Sequence, residues 1–204
     1  MTNRNHHSKT IKIDKQTIAK AAFDLLLEEG MKKISIRNVA DRLHIKGASL
    51  YWHVKNKDEL LELVAEEICK DIPFPDNSLS PEDQIKVLSY EYRKTLLKIR
   101  DSAHVLVETA PTTPYRLQLI NKMSEALQLF GLKNEDLFSS SWMLNNFITS
   151  FVLEEYRFNE IPKDASETLE IIDNLPFGQS MPNMEREFQF GLDILLSGFK
   201  SKID

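Results

Sequence analysis

The stretch SIRNVADRLHIKGASLYWHVKNKDEL, Ser35–Leu60, decides the fold. Ser35 can cap a short helix whose inward residues are Ile36, Val39, Ala40 and Leu43, with the small Ala40 allowing another helix to come close. A tight turn through His44, Ile45, Lys46 and Gly47 follows, and then a helix over about Ala48 to His53. Two turns of helix do not persist alone in water, so neighbouring helices must hold this one in place. Upstream, from Asp14, residues Ile18, Ala22, Leu25 and Leu26 recur on one helical face, and Gly30 stands just past its end. Three helices with a tight turn before the third make a helix-turn-helix, whose last helix lies in a DNA major groove. Its surface has suitable chemistry: Ser49, Tyr51, His53 and Lys57 can reach phosphates or base edges while Leu50 and Val54 face inward. Arg37, at the start of the second helix, can add a phosphate or guanine contact. The same composition also occurs on solvated helices, so spacing alone leaves both readings open.

Working outward, Asn56 begins a fourth helix, with Glu59 in capping-box spacing and Leu60, Leu61, Val64, Ala65 and Ile68 on its apolar side. The segment DIPFPDNSLSP, Asp71–Pro81, has three prolines and no helical period, and reads as a domain joint. Ser80 followed by Pro81, Glu82 and Asp83 then combines a cap, a proline at the first helical position and acids in the first turn. That pattern predicts a long helix to about Lys98. Further helices are expected at about Ala103–Thr109, Pro114–Phe130, Glu135–Phe158 and Met184–Ile203, with a shorter one near Ala165–Asp173. No strand alternation stands out. The expected organisation is all-α: a mobile arm over residues 1–11, a three-helix DNA-binding head over 12–56, a connecting helix over 57–72, and a larger ligand-binding and dimerisation domain over 73–204.

Charge agrees with that division. The chain carries a net −5, yet residues 1–57 hold twelve Lys or Arg against five acids, and the remainder is strongly acidic. A basic head on an acidic body attracts phosphates at one end only. The single cysteine, Cys69, excludes an internal disulfide, and no signal-peptide layout or membrane-length apolar run is present, which points to the cytoplasm. His6 and His7 form too small a cluster for a metal site. No catalytic constellation appears: Glu154 and Glu155 lie about 100° apart on a helix, Cys69 has no histidine nearby in sequence, and there is no glycine-rich phosphate loop. An enzyme is therefore disfavoured, and a helical protein-interaction module, which would not need a basic head, remains the rival from another class.

The string LYWHVKNKDEL (Leu50–Leu60) resembles the recognition-helix end of the TetR family of transcriptional regulators. The resemblance continues through IDKQTIAKAAFDLL (Ile13–Leu26), SIRNVADRL (Ser35–Leu43), RDSAHVLVETAPT (Arg100–Thr112), FVLEE (Phe151–Glu155) and FQFGLDILLSGF (Phe188–Phe199). It implies a cytoplasmic repressor that binds double-stranded operator DNA as a homodimer and is released by a small-molecule effector. On matching positions it implies DNA contacts by Arg37, Ser49, Tyr51, Trp52, His53 and Lys57. It places an effector pocket at Tyr92, Thr109, Pro111, Leu119, Met123, Trp142, Asn145 and Glu154. Two departures stand out. Gly47 and Ala48 replace a glutamine and a proline of the tetracycline-responsive members, so one base contact is lost. Leu106 stands where those members place a metal-binding histidine, and His104 is about 200° away round a helix. Pro73, Leu88 and Lys122 replace three more polar ligand contacts. The expected effector is thus apolar or anionic, bound without metal or cofactor; the alternative is a tetracycline-responsive repressor of a resistance exporter. The last helix carries Phe188, Phe190, Leu192, Leu195, Leu196 and Phe199 over a broad arc, which predicts a surface buried against a second copy.

Overall fold

In the computed structural model, residues 13–160 and 182–203 are described, and among them there are helices and no strand. The expected arm, the expected helix near Ala165–Asp173 and most of the connection that follows it lie outside the described residues. The helices are α1 (Lys15–Glu29), α2 (Ile36–Arg42), α3 (Gly47–Leu50), α4 (Lys57–Lys70), α5 (Pro81–Lys98), α6 (Ser102–Glu108), α7 (Pro114–Phe130), α8 (Asn134–Glu160) and α9 (Met184–Lys200).

Local chemistry sets their ends. The Asp14 carboxylate accepts from the Thr17 amide at 2.8 Å, and Ser35, Asn56, Ser80 and Asn183 accept in the same way from Asn38, Glu59, Asp83 and Arg186. Each such cap satisfies one of a helix's orphan donors and is worth about 1 kcal/mol. Glu59 also reaches back to the Lys55 amide at 3.0 Å, one residue before the Asn56 amide of a standard capping box, so the fourth helix is held from both sides at its start. Gly131 closes α7 at φ 119°, a conformation that a side chain would strain.

In the head, α1 packs along α4, α2 packs on α1 and α3 on α2, with Val39, Ala40 and Leu50 buried. The third helix is shorter than expected and starts one residue earlier. Only Gly47–Leu50 is regular; His53 and Val54 then both donate to the Leu50 carbonyl, at 2.8 and 3.0 Å, so the chain tightens through Tyr51–His53. Aromatic and β-branched residues gain little from helix, and the chain must turn here to bury Val54 and deliver Asn56 to its capping position. The preceding turn relies on His44 at φ 55°, a left-handed conformation.

The body is a bundle in which α5, α7 and α8 pack on one another, and α4 extends out of the head to touch both α6 and α7. Its core includes Ile85, Leu88, Tyr92, Leu96, Leu119, Leu127, Ile148 and Val152, all nearly inaccessible. Arg93 on α5 is buried and bonds both oxygens of Glu155 on α8, at 2.9 and 2.8 Å, and Glu185 on α9 at 2.5 Å. Its guanidinium also lies over the Phe188 ring, 4.7 Å from the centroid. This joint fixes α9 against the bundle. Four of the six apolar residues expected on the dimer face of α9, Phe188, Leu192, Leu196 and Phe199, belong instead to this chain's own core. Helix periodicity divides the arc: Phe190 and Ile194 remain outside, 62% and 58% exposed.

Candidate functional site

Two surfaces carry functional chemistry, one in the head and one in the body. In the head, Leu50 and Val54 are sealed inside, which turns Ser49, Tyr51 and Trp52 outward. Trp52 is 89% exposed, so its indole packs on nothing within the head. Tyr51 is exposed as well, His53 is half-buried, and Lys57 sits exposed at the first position of α4. Arg37 is exposed at the first turn of α2, where among the described residues its ion pair is a loose 3.8 Å contact with Asp41. Large aromatic rings left in water are costly and mark a contact surface. All six residues expected to touch DNA are therefore accessible or partly so, on two adjoining short helices, the turn that leads into α4 and the first residue of α4.

In the body, a cavity of about 430 Å³ opens between α5, α6, α7 and α8. Six of the eight expected effector residues line it: Tyr92, Thr109, Pro111, Leu119, Trp142 and Asn145. Met123, one turn beyond Leu119, is enclosed in the core and does not reach the wall. Glu154 does not reach it either. It lies nine residues after Asn145 on α8, about half a turn round the helix, and is exposed in an ion pair with Arg157. The wall adds residues that the sequence reading did not single out, among them Arg116, Ile120, Ser124, Phe138, Ser141, Asn146 and Thr149.

Polar groups in the wall are held in place by one another. Tyr92 donates to the Asn145 amide oxygen at 3.2 Å, and Thr149 donates to the Asn145 carbonyl at 3.0 Å. Ser124 and Ser141 share a hydrogen bond of 2.9 Å across α7 and α8. Arg116 donates to the Thr109 hydroxyl and to the Leu106 carbonyl. Burial pushes the Tyr92 phenol up from its ordinary pKa and the Arg116 guanidinium down from its own. The signal for Arg116 was present in the register: it occupies the inward slot of α7 one turn before Leu119, where an apolar residue is the rule.

A divalent metal does not suit this wall. Leu106 supplies no ligand from its side chain, His104 is exposed away from the cavity, and the lining offers hydroxyls, amides and a guanidinium that would repel a dication.

The cavity and the head are joined by specific contacts. The Glu66 carboxylate of α4 accepts from the Tyr115 amide at 2.9 and 3.1 Å, capping the start of α7, whose own Thr113 provides no side-chain cap. Asp101, at φ 54° before α6, accepts from the Met31 amide of the head at 2.8 Å. Gly30 lies directly against it: a Cβ there would come within 2.8 Å of the Asp101 carboxylate.

Residues 18–64 match the family model described as bacterial regulatory proteins, tetR family, and residues 74–203 match that of the tetracyclin repressor-like, C-terminal domain. A relative, the tetracycline repressor protein class E of Escherichia coli, is 31% identical over 195 residues, covering 90% of this chain and 89% of that protein. Among solved structures, the TetR family protein ActR of Streptomyces coelicolor in complex with actinorhodin superposes with a TM-score of 0.84 at 25% identity, covering 95% of this chain and 98% of that one. A TetR variant of Acinetobacter baumannii in complex with minocycline superposes with a TM-score of 0.72 at 28% identity, covering 93% and 94%.

Proposed function

The chain belongs to the TetR family of bacterial regulatory proteins, and on that footing we propose a ligand-released transcriptional repressor that acts in the cytoplasm as a homodimer on a palindromic operator. Residues 12–56 form its reading head, 57–72 its connecting helix and 73–204 its sensing and dimerising body. Arg37, Ser49, Tyr51, Trp52, His53 and Lys57 meet the duplex, with Lys57 and Arg37 on phosphates and Tyr51 nearest the base edges. Two heads must sit about 34–36 Å apart to enter successive major grooves, so a small rotation of each is enough to lose the site.

The observation that carries the sensing role is α4, a single helix that packs along α1 in the head and touches α6 and α7, two of the four helices that wall the cavity. A ligand changes the operator affinity only if it prefers one position of that helix. Contacts at Glu66–Tyr115 and Asp101–Met31 supply the mechanical link: a ligand that repositions the first turn of α7 or the end of α6 pulls on α4 and on the base of the head. The wall chemistry supports an effector taken up without metal. A tetracycline reading is favoured by the relatives that bear that name, and opposed by Leu106 and Arg116 in the wall.

The test of the DNA-reading surface is a pair of alanine variants. Lys57→Ala weakens binding to all duplexes alike and lowers the slope of log affinity against log salt by about one, whereas Tyr51→Ala weakens the operator more than unrelated DNA. Operator affinity untouched in both variants, measured by fluorescence anisotropy on duplexes taken upstream of the gene, contradicts the assignment.

A further inference from the structure

Arg116 is only 8% exposed, yet it faces the cavity with its positive charge unmatched. Its hydrogen bonds go to neutral acceptors, the Thr109 hydroxyl and the Leu106 carbonyl, and among the described residues it has no carboxylate within ion-pair distance. Glu62 is the acid whose field it feels, and no bond joins them. The Leu106 carbonyl lies near the end of α6, where helix carbonyls carry partial negative charge; this offsets part of a full cation and leaves the rest. A buried charge is retained at low cost only when paired, and the low-dielectric wall that makes the unpaired state costly makes an incoming anion bind more strongly.

We infer that the effector bears an anionic group, such as a carboxylate, a sulfonate or an acidic enol, which docks on the Arg116 guanidinium while an aromatic body lies against Trp142, Phe138 and Leu119. The inference rests on the reading of this cavity as the effector site. The planar fork of arginine suits a two-oxygen anion, and the surrounding apolar wall suits a ring system. The hydroxyls of Ser124 and Ser141 and the amide of Asn146, farther along the same wall, are placed for neutral polar substituents.

The test uses two fluorescent probes of nearly the same shape on the full-length protein: anilinonaphthalene sulfonate, which is anionic, and phenyl naphthylamine, which is neutral. Energy transfer from Trp142, absent in Trp142→Phe, locates each probe in the cavity. Arg116→Met is expected to weaken the sulfonate about tenfold or more and to leave the neutral amine within about twofold, as loss of a charge-assisted hydrogen bond requires. Arg116→Lys keeps most of the sulfonate affinity. An arm that needs no variant guards against a folding defect: naphthoate displaces the sulfonate from the wild-type protein at a concentration about tenfold or more below that of naphthamide. Sulfonate binding unchanged in a folded Arg116→Met protein, or equal displacement by the acid and the amide, overturns the inference while leaving the cavity as the effector site. Absence of transfer from Trp142 with either probe overturns both.

Discussion

Cys69 shows how strongly burial acts on a single side chain in this protein. The thiol lies within the contact of α4 with the body, 1% exposed, and desolvation pushes its pKa up from 9.0 to about 12. Two outcomes follow. At neutral pH the thiol does not react with an alkylating reagent until the protein unfolds. In alkali the unfolded chain gives up this proton near pH 9 while the folded chain holds it to about 12, so the contribution is intact below pH 9 and is lost as pH rises through that window. Stability should fall by up to about 1.4 kcal/mol per pH unit there on account of this group. Cys69→Ala should flatten the first unit of that fall, before the Tyr92 phenol begins to contribute, as urea titrations at pH 9 and 10 would show. The Arg93–Glu155 pair makes a second case. Glu155→Ala strands a buried guanidinium that keeps, among the described residues, the exposed Glu185 as its ion-pair partner, and should cost about 3 kcal/mol in a denaturant melt.

At this scale the sequence was informative about chemistry and weak about position. Leu106 in place of a metal ligand was legible from its identity alone. Glu154 was not, because the resemblance supplied a matching letter and no rotational phase: counting 100° per residue from Asn145 puts it on the far side of α8. Arg116 stands in an inward slot of α7, which its register shows, but an arginine there reads as solvated by its residue type; that its side chain turns in to the Thr109 hydroxyl and the Leu106 carbonyl is a long-range fact.

Among the elements, helix identity and order follow from caps and periodicity, and the described helices agree with the expected ones to within a few residues. The exception is α3, where the sequence predicts two full turns and the chain forms one regular turn and a tighter one, since Tyr51 and Trp52 are outward, His53 is half-buried, and Leu50 and Val54 anchor it. The amphipathic arc of α9 was legible as apolar, but periodicity does not say whether a face meets its own chain or another. Two joints between elements give the sharpest tests. Gly30 adopts φ 85° and ψ 171°, and a Cβ there would strike Asp101, so Gly30→Ala should cost about 1–3 kcal/mol. A thermal melt reads that cost, and an unchanged melting temperature would show that the head does not rest on α6 as described. Glu66→Ala should remove this cap, lowering stability by about 1 kcal/mol.

For the whole molecule, the separation of charge and the leftover apolar surface point to the same arrangement. The basic end is the head, and the exposed Phe190 and Ile194 lie on the last helix of the body, so that a second copy joined there leaves both heads uncovered. Ile194→Glu should shift the protein toward monomer in sedimentation and reduce operator affinity with it, because one head alone makes half the contacts. A monomeric variant with full operator affinity would separate DNA reading from assembly.

The most direct measurement is binding of the purified protein to a duplex drawn from its own upstream region, followed from low to high salt. The account predicts a complex of two chains per duplex whose affinity drops steeply and log-linearly as salt rises, as release of counterions from several phosphates requires. Equal indifference to that duplex and to unrelated DNA, even at low salt, would contradict it.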